Sequence, residues 1–342
     1  MLVLLVAILG ALIPTLFYVT FVWWLDRYEK EPIRLLTLAF LWGAIPAAIL
    51  SVLFELMLDL PITALGGESL AANLLSASLS APLVEETFKG IAVVGVALLF
   101  RREFDDVLDG IIYGAMVGFG FALTENSLAY FLPILSEQGI SAGLVNIFMR
   151  AVVFGVNHGF WTGLTGAAIG FARLSPRLAV RLLAPLGGWA LAVLFHGMHN
   201  AGATLVEQTS CLSLGFSLAV DWGGVLLLLL IAAGVWNKES RWIEQGLREE
   251  LRRTLVTPQE FDLLRSATAR LAARGRAWGR GGRPAARAVE QYFQCATELA
   301  FKKQHLRTLG DEAGNLAEIE KLRLQLVTCR AGATPWLWPA QS

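Results

Sequence analysis

Stretches of about twenty residues that lack any charged side chain recur along the first 236 positions of the chain, and no other feature restricts the fold as much. About twenty apolar residues in a helix cross roughly 30 Å of hydrocarbon. Hydropathy places seven such spans near 3–25, 35–58, 77–100, 108–134, 144–172, 180–206 and 213–236. A Gly-, Ser- and Ala-rich stretch from Ile62 to Ser80 reads as an interfacial or re-entrant eighth element. Only 16% of residues are charged, against about 25% in a soluble domain. The expected fold is therefore all-α: a polytopic integral membrane protein with about seven transmembrane helices, or eight if 62–80 also inserts.

The start of the chain has no basic n-region, and its apolar run continues to Trp24. That run is too long for a cleavable signal peptide and reads as a retained first span. Loops bearing Arg27, Lys30 and Arg34, then Arg101 and Arg102, then Arg173, Arg177 and Arg181, alternate with loops near 59–70, 136–143 and 207–212 that hold no Lys or Arg. Basic loops stay in the cytoplasm. The alternation puts the N-terminus outside and the C-terminus inside.

Two domains are expected, a membrane domain over 1–236 and a soluble, helical cytoplasmic tail over 237–342. Residues 238–342 hold 18 of the 28 Lys and Arg and 12 of the 28 Asp and Glu, so the tail is formally +6 and the remainder −6. Thr257-Pro258-Gln259-Glu260 has the form of a capping box with Pro at the first helical position. A breaker stretch from Gly275 to Pro284 separates that helix from one near 285–309. The arginines around Trp278 suit a cytoplasmic partner or anionic lipid. Nucleic-acid binding is not expected of a tethered tail of mixed charge. The three cysteines form no metal or disulfide spacing pattern.

An acidic balance inside a membrane domain is unusual, because buried acids are costly and tend to be functional. Glu85, Glu86 and Lys89 lie in the third span at helical spacing that lets Lys89 reach either carboxylate. Glu125 and Asn126 follow a glycine-rich face (Gly110, Gly114, Gly118, Gly120) whose small residues suit close helix contact. His158 lies in the fifth span; His196, His199 and Asn200 lie in the sixth. Counted at 1.5 Å per residue from the outer boundaries, Glu85, Glu125, His158, His196 and Asn200 fall roughly 10–20 Å below the outer surface. They form one layer by that count.

A carboxylate in such a layer activates water, and His and Asn donate hydrogen bonds to an oxyanion. No G-x-S-x-G is present, and no Cys stands beside a membrane histidine. The same layer would also suit a zinc ion, a proton- or ion-coupled transporter, or the buried network of a non-enzymatic scaffold. No H-E-x-x-H is present, and no convincing inverted repeat.

The set resembles the PrsW family of intramembrane proteases, in the superfamily of the type II CAAX-prenyl endopeptidases. The residues that carry the resemblance are Asp26 to Pro32, Glu85-Glu86-x-x-Lys89, Asp109-Gly110 through Phe121-Ala122 to Glu125-Asn126, His158, and His196 with Asn200. The tail is not covered. The resemblance implies a protease acting on a membrane-anchored protein such as an anti-sigma-type regulator. It implies that Glu85 or Glu86 activates water, that His196 and Asn200 stabilise the oxyanion, and that His158 is a further catalytic or orienting group. Lys89, Glu125 and Asn126 support the site. Glu125 either holds a proton, pairs with Lys89 or ligates a metal. A metal-free glutamic mechanism is favoured for want of a close-spaced ligand motif. Zinc held by Glu86, Glu125, His158 and His196 is the alternative.

Overall fold

The structure, a computed structural model, describes residues 1–67, 69–101, 103–311 and 314–338. Among the described residues the regular structure is entirely helical. Arg102, which contributed to the loop-charge pattern, lies outside them. The chain divides into two compact units, one of Met1–Leu25, Glu31–Arg173 and Arg177–Ala232, the other of Asp26–Lys30, Leu174–Pro176 and Ala233–Ser342.

The first unit contains α1 (Leu2–Leu25), α2 (Ile33–Gly66), α3 (Ala81–Leu99), α4 (Val107–Glu137), α5 (Gly139–Ile147), α6 (Asn157–Arg173), α7 (Leu178–Thr204) and the apolar part of α8 (Leu212–Arg252). Among the described residues six helical stretches are long and apolar enough to cross a membrane: α1, α2, α4, residues 139–173, α7 and α8. The remaining expected span matches α3, whose 19 residues carry Glu85, Glu86 and Lys89. The stretch from Ile62 to Ser80 is largely helical: α2 runs to Gly66, and Leu70–Leu75 and the π-helical turn Ser76–Ser80 lead directly into α3. Large apolar side chains such as Phe17, Leu60, Leu183 and Leu230 point out of the unit. That exposure suits lipid rather than water.

Helix α4 is the centre of this unit, and every residue from Leu108 to Ala122 is buried. Its glycines explain the position. A methyl group at Gly114 would overlap the carbonyl of Thr162, and one at Gly118 the carbonyl of His158, so α4 and α6 meet backbone to backbone. On its other side Gly120 meets the carbonyl of Phe40 in α2 in the same way.

The second unit is built on α9 (Pro258–Leu264), α10 (Ala267–Leu309) and α11 (Asn315–Leu337), with the last turns of α8. The expected capping box is present: Thr257 Oγ1 accepts from the Glu260 amide at 3.2 Å, and Glu260 Oε2 accepts from the Thr257 amide at 2.7 Å. Its core includes Trp242, Leu247, Leu264, Tyr292, Phe293, Leu299 and Leu326. The break expected over Gly275 to Pro284 is present but narrow: two helices meet at Gly282, whose φ of +63° and ψ of −154° leave the helical path. Alanine and arginine are strong helix formers. Ala273 and Ala277 are buried in the core and hold the helix through Gly275 and Gly279.

Candidate functional site

Close contact of α4 with α6 brings His158, at the start of α6, beside Glu125, where α4 turns π-helical (Glu125–Phe131). Helix α6 starts abruptly because residues 154–156 leave the helical path after a second π-helical turn, Phe148–Val153. Arg150 lies in that turn. π-Helical turns interrupt the regular 3.6 period and often mark functional sites.

Lys89 sits fully buried at the centre of the ionisable cluster. Its ammonium donates to Glu85 Oε2 at 2.9 Å, Glu86 Oε1 at 2.8 Å and His158 Nδ1 at 3.0 Å. Because Lys89 only donates, His158 Nδ1 accepts and Nε2 carries the hydrogen. That Nε2 lies 3.0 Å from Glu125 Oε2. Glu125 is also paired with Arg150 at 3.1 Å, and Arg150 Nε donates to Asn126 Oδ1 at 2.9 Å. Glu125 therefore pairs with Arg150 and His158, while Lys89 pairs with Glu85 and Glu86.

The two adjacent carboxylates differ. Glu86 is inaccessible, and accepts from Lys89, from Thr162 Oγ1 at 3.0 Å and from His196 Nδ1 at 3.1 Å. Glu85 has Lys89 as its close partner and lines a cavity of about 580 Å³ together with Glu55, Glu125, Arg150, His199 and Asn200. His196 Nε2 is 3.9 Å from Glu85 Oε2, and the His196 ring is stacked on Trp161 with centroids 3.9 Å apart. Asn200 lines the same cavity, and its Nδ2 donates to the Ala77 carbonyl at 2.8 Å. Thus Glu85, Glu86, Lys89, Glu125, His158 and His196 form one cluster, with Asn126 behind it on Arg150 and Asn200 on the cavity wall.

Sequence reasoning gave no site role to four members of this neighbourhood, Thr162, Arg150, His199 and Asp221. Thr162 and Arg150 complete the hydrogen bonding of Glu86 and Glu125. Asp221, the only ionisable residue in the apolar part of α8, and His199 form a second buried pair. An acid alone among the leucines of a span was a signal that pointed to Asp221.

The donor types suit zinc: Glu85, Glu86, His158 and His196 each bring one ligand-type atom within 4.8 Å of the others. Zinc binds such atoms at about 2.0–2.2 Å, which sets tetrahedral ligands about 3.4 Å apart. The arrangement does not fit that centre. The Lys89 ammonium already engages three of the four residues, Glu85, Glu86 and His158, and His158 has no free lone pair, with Nδ1 accepting from Lys89 and Nε2 facing Glu125. The alternative ligand set with Glu125 in place of Glu85 is not assembled, since Glu125 lies on the opposite edge of the His158 ring from Lys89.

Fold and site together define a polytopic, all-helical integral membrane protein with a Glu/His/Lys cluster buried among its membrane helices. The profile of the "PrsW family intramembrane metalloprotease" matches residues 31–235, and the chain belongs to the PrsW family. It is 35% identical over 144 residues to Protease PrsW of Geobacillus kaustophilus, a match covering 42% of this chain and 60% of the relative. It is 26% identical over 200 residues to Protease PrsW of Bacillus subtilis, covering 58% and 84% of the two chains. With Protease PrsW of Clostridioides difficile it shares 29% identity over 154 residues, covering 44% and 62%. The match therefore spans about three fifths of two of these relatives. No solved structure matches the chain.

Proposed function

We propose that this chain is an intramembrane endopeptidase that hydrolyses a peptide bond of a membrane-anchored protein, with Glu85 as the group that activates water. The observation that carries this reading is the inequality of the two carboxylates: Glu86 is enclosed by three donors, whereas Glu85 faces the cavity. Family membership supports the protease class.

In this reading Glu86 takes the Nδ1 hydrogen of His196 and leaves Nε2 with its lone pair toward Glu85. Two acceptors 3.9 Å apart are within reach of one water that gives a hydrogen to each. Glu85 takes a proton as the water oxygen bonds the carbonyl carbon, and passes it to the leaving nitrogen as the C–N bond breaks. Lys89 holds Glu85 in place and balances its charge. Asn200 keeps a second amide hydrogen, beyond the one bound to the Ala77 carbonyl, for the oxyanion. The chemistry uses no metal, and the substrate is a single-pass regulator of the anti-sigma type. The tail faces the cytoplasm.

Cleavage of a single-pass peptide by the purified full-length chain tests this. Glu85→Gln is expected to lower the rate by about 10²-fold or more. Unchanged cleavage in Glu85→Gln overturns the assignment. Labelling of exposed Cys211 from the outside of intact cells tests the orientation.

A further inference from the structure

Asp221 is fully buried in the apolar part of α8, and no cationic side chain of Lys or Arg pairs with it among the described residues. Its Oδ2 lies 2.7 Å from His199 Nδ1 and accepts from Asn157 Nδ2 at 2.8 Å, while Oδ1 is buried without a partner. A buried carboxylate with one oxygen unsatisfied is costly, and a packing role would have been met more cheaply by an apolar side chain. What the arrangement does achieve is to fix an imidazole. Asn157 Nδ2, a donor, also lies 3.2 Å from His199 Nδ1, but the shorter contact, to the acceptor-only carboxylate, assigns the hydrogen of His199 to Nδ1, and the ring is pinned by Phe154, edge-on at 4.8 Å, and by Trp161 at 5.4 Å. Among the described residues the hydrogen bonds of the His199 ring are all at Nδ1, and His199 lines the cavity that Glu85 lines. Trp161 stands between the two imidazoles, stacked on His196 and tilted against His199.

We propose that His199 is a substrate-contacting residue, whose Nε2 accepts a backbone N–H of the peptide lying in the cavity, and that Asp221 and Asn157 are its positioning residues. The inference rests on the protease reading for the identity of the peptide, and on the geometry alone for the tautomer. A peptide backbone offers hydrogen as N–H and acceptor as C=O, and an Nε2 lone pair selects the former. The contact supplies binding and register along the cavity rather than a proton-transfer step.

Two readouts on the full-length protein in micelles test it. Nitrogen-15 labelling of the four histidines, with His199 assigned by its loss in His199→Gln, is expected to show hydrogen on Nδ1. In Asp221→Asn, where the carboxamide donates instead, the hydrogen moves to Nε2. Hydrogen on Nε2 in the native chain, or no change in Asp221→Asn, overturns the positioning role. Binding of a fluorescent single-pass peptide, followed by anisotropy in the Glu85→Gln background, reads the contact without cleavage. His199→Leu is expected to weaken binding about threefold to tenfold. His199→Gln, whose carbonyl still accepts, restores most of it. Equal binding in all three chains overturns the contact, as does equal loss in both variants. A native chain that binds the peptide with these differences but never cleaves it refutes the protease reading and leaves this one standing.

Discussion

The Lys89 ammonium lies 3.0 Å from His158 Nδ1, and that contact decides which nitrogen of the imidazole carries hydrogen. From it follow the pairing of His158 Nε2 with Glu125 and the lack of a free lone pair for a metal. A lysine that in sequence is merely four residues from an acid thus organises the site from its centre.

Lys89→Met removes the only cation in contact with Glu85 and Glu86 among the described residues. Breaking a buried ion pair from one side costs about 3–5 kcal/mol. Thermal unfolding in detergent is expected to show a loss of that order, with cleavage abolished. Native-like melting would mean that the two carboxylates do not depend on Lys89.

Because Lys89 engages three of the four candidate ligands, cleavage is expected to survive chelation. Elemental analysis of the purified chain should give well under one zinc per molecule. Loss of activity on chelation, restored only by added zinc, would show that Lys89 moves aside and that the site closes around a metal.

The contact of α4 on α6 is sensitive to one methyl group. Gly118→Ala puts a Cβ into the carbonyl of His158 and is expected to cost about 1–3 kcal/mol. Cleavage should fall further than stability, since His158 itself is displaced. Gly95→Ala in α3, where a Cβ meets nothing within 4 Å, is the matched control and should melt at or slightly above the native temperature.

In the tail, burial, with the neighbouring Cys329 thiol, pushes the Cys295 thiol well above the ordinary thiol range. The thiolate is the reactive form. Alkylation at pH 8 is therefore expected to label exposed Cys211 long before Cys295, whose labelling should still be rising above pH 10. Mass spectrometry of digested protein reads both sites. Comparable rates at pH 8 would show that Cys295 is not protected as the structure has it.

Much of this protein is determined by its sequence alone. Length and hydropathy suffice for membrane helices because a helix satisfies its own backbone in lipid. The capping box at Thr257 was legible because its two bonds are local, and the shared layer of Glu85, Glu125, His158 and His196 because depth follows residue count in a helix. The helix through Gly275 and Gly279 was not legible, since burial of Ala273 and Ala277 outweighs the weak propensity of glycine. Nor were the π-helical turns at Glu125 and Arg150, which leave no periodic trace.

Only the tertiary structure decided which carboxylate faces the cavity, what Lys89 and Glu125 pair with, and that Asp221 holds His199. These facts depend on the rotation of one helix against another, and a rotation of a few tens of degrees leaves composition and spacing unchanged. Sequence periodicity places a side chain on the face of its own helix. The partner across the interface is set by packing, here by the glycines that let α4 and α6 touch.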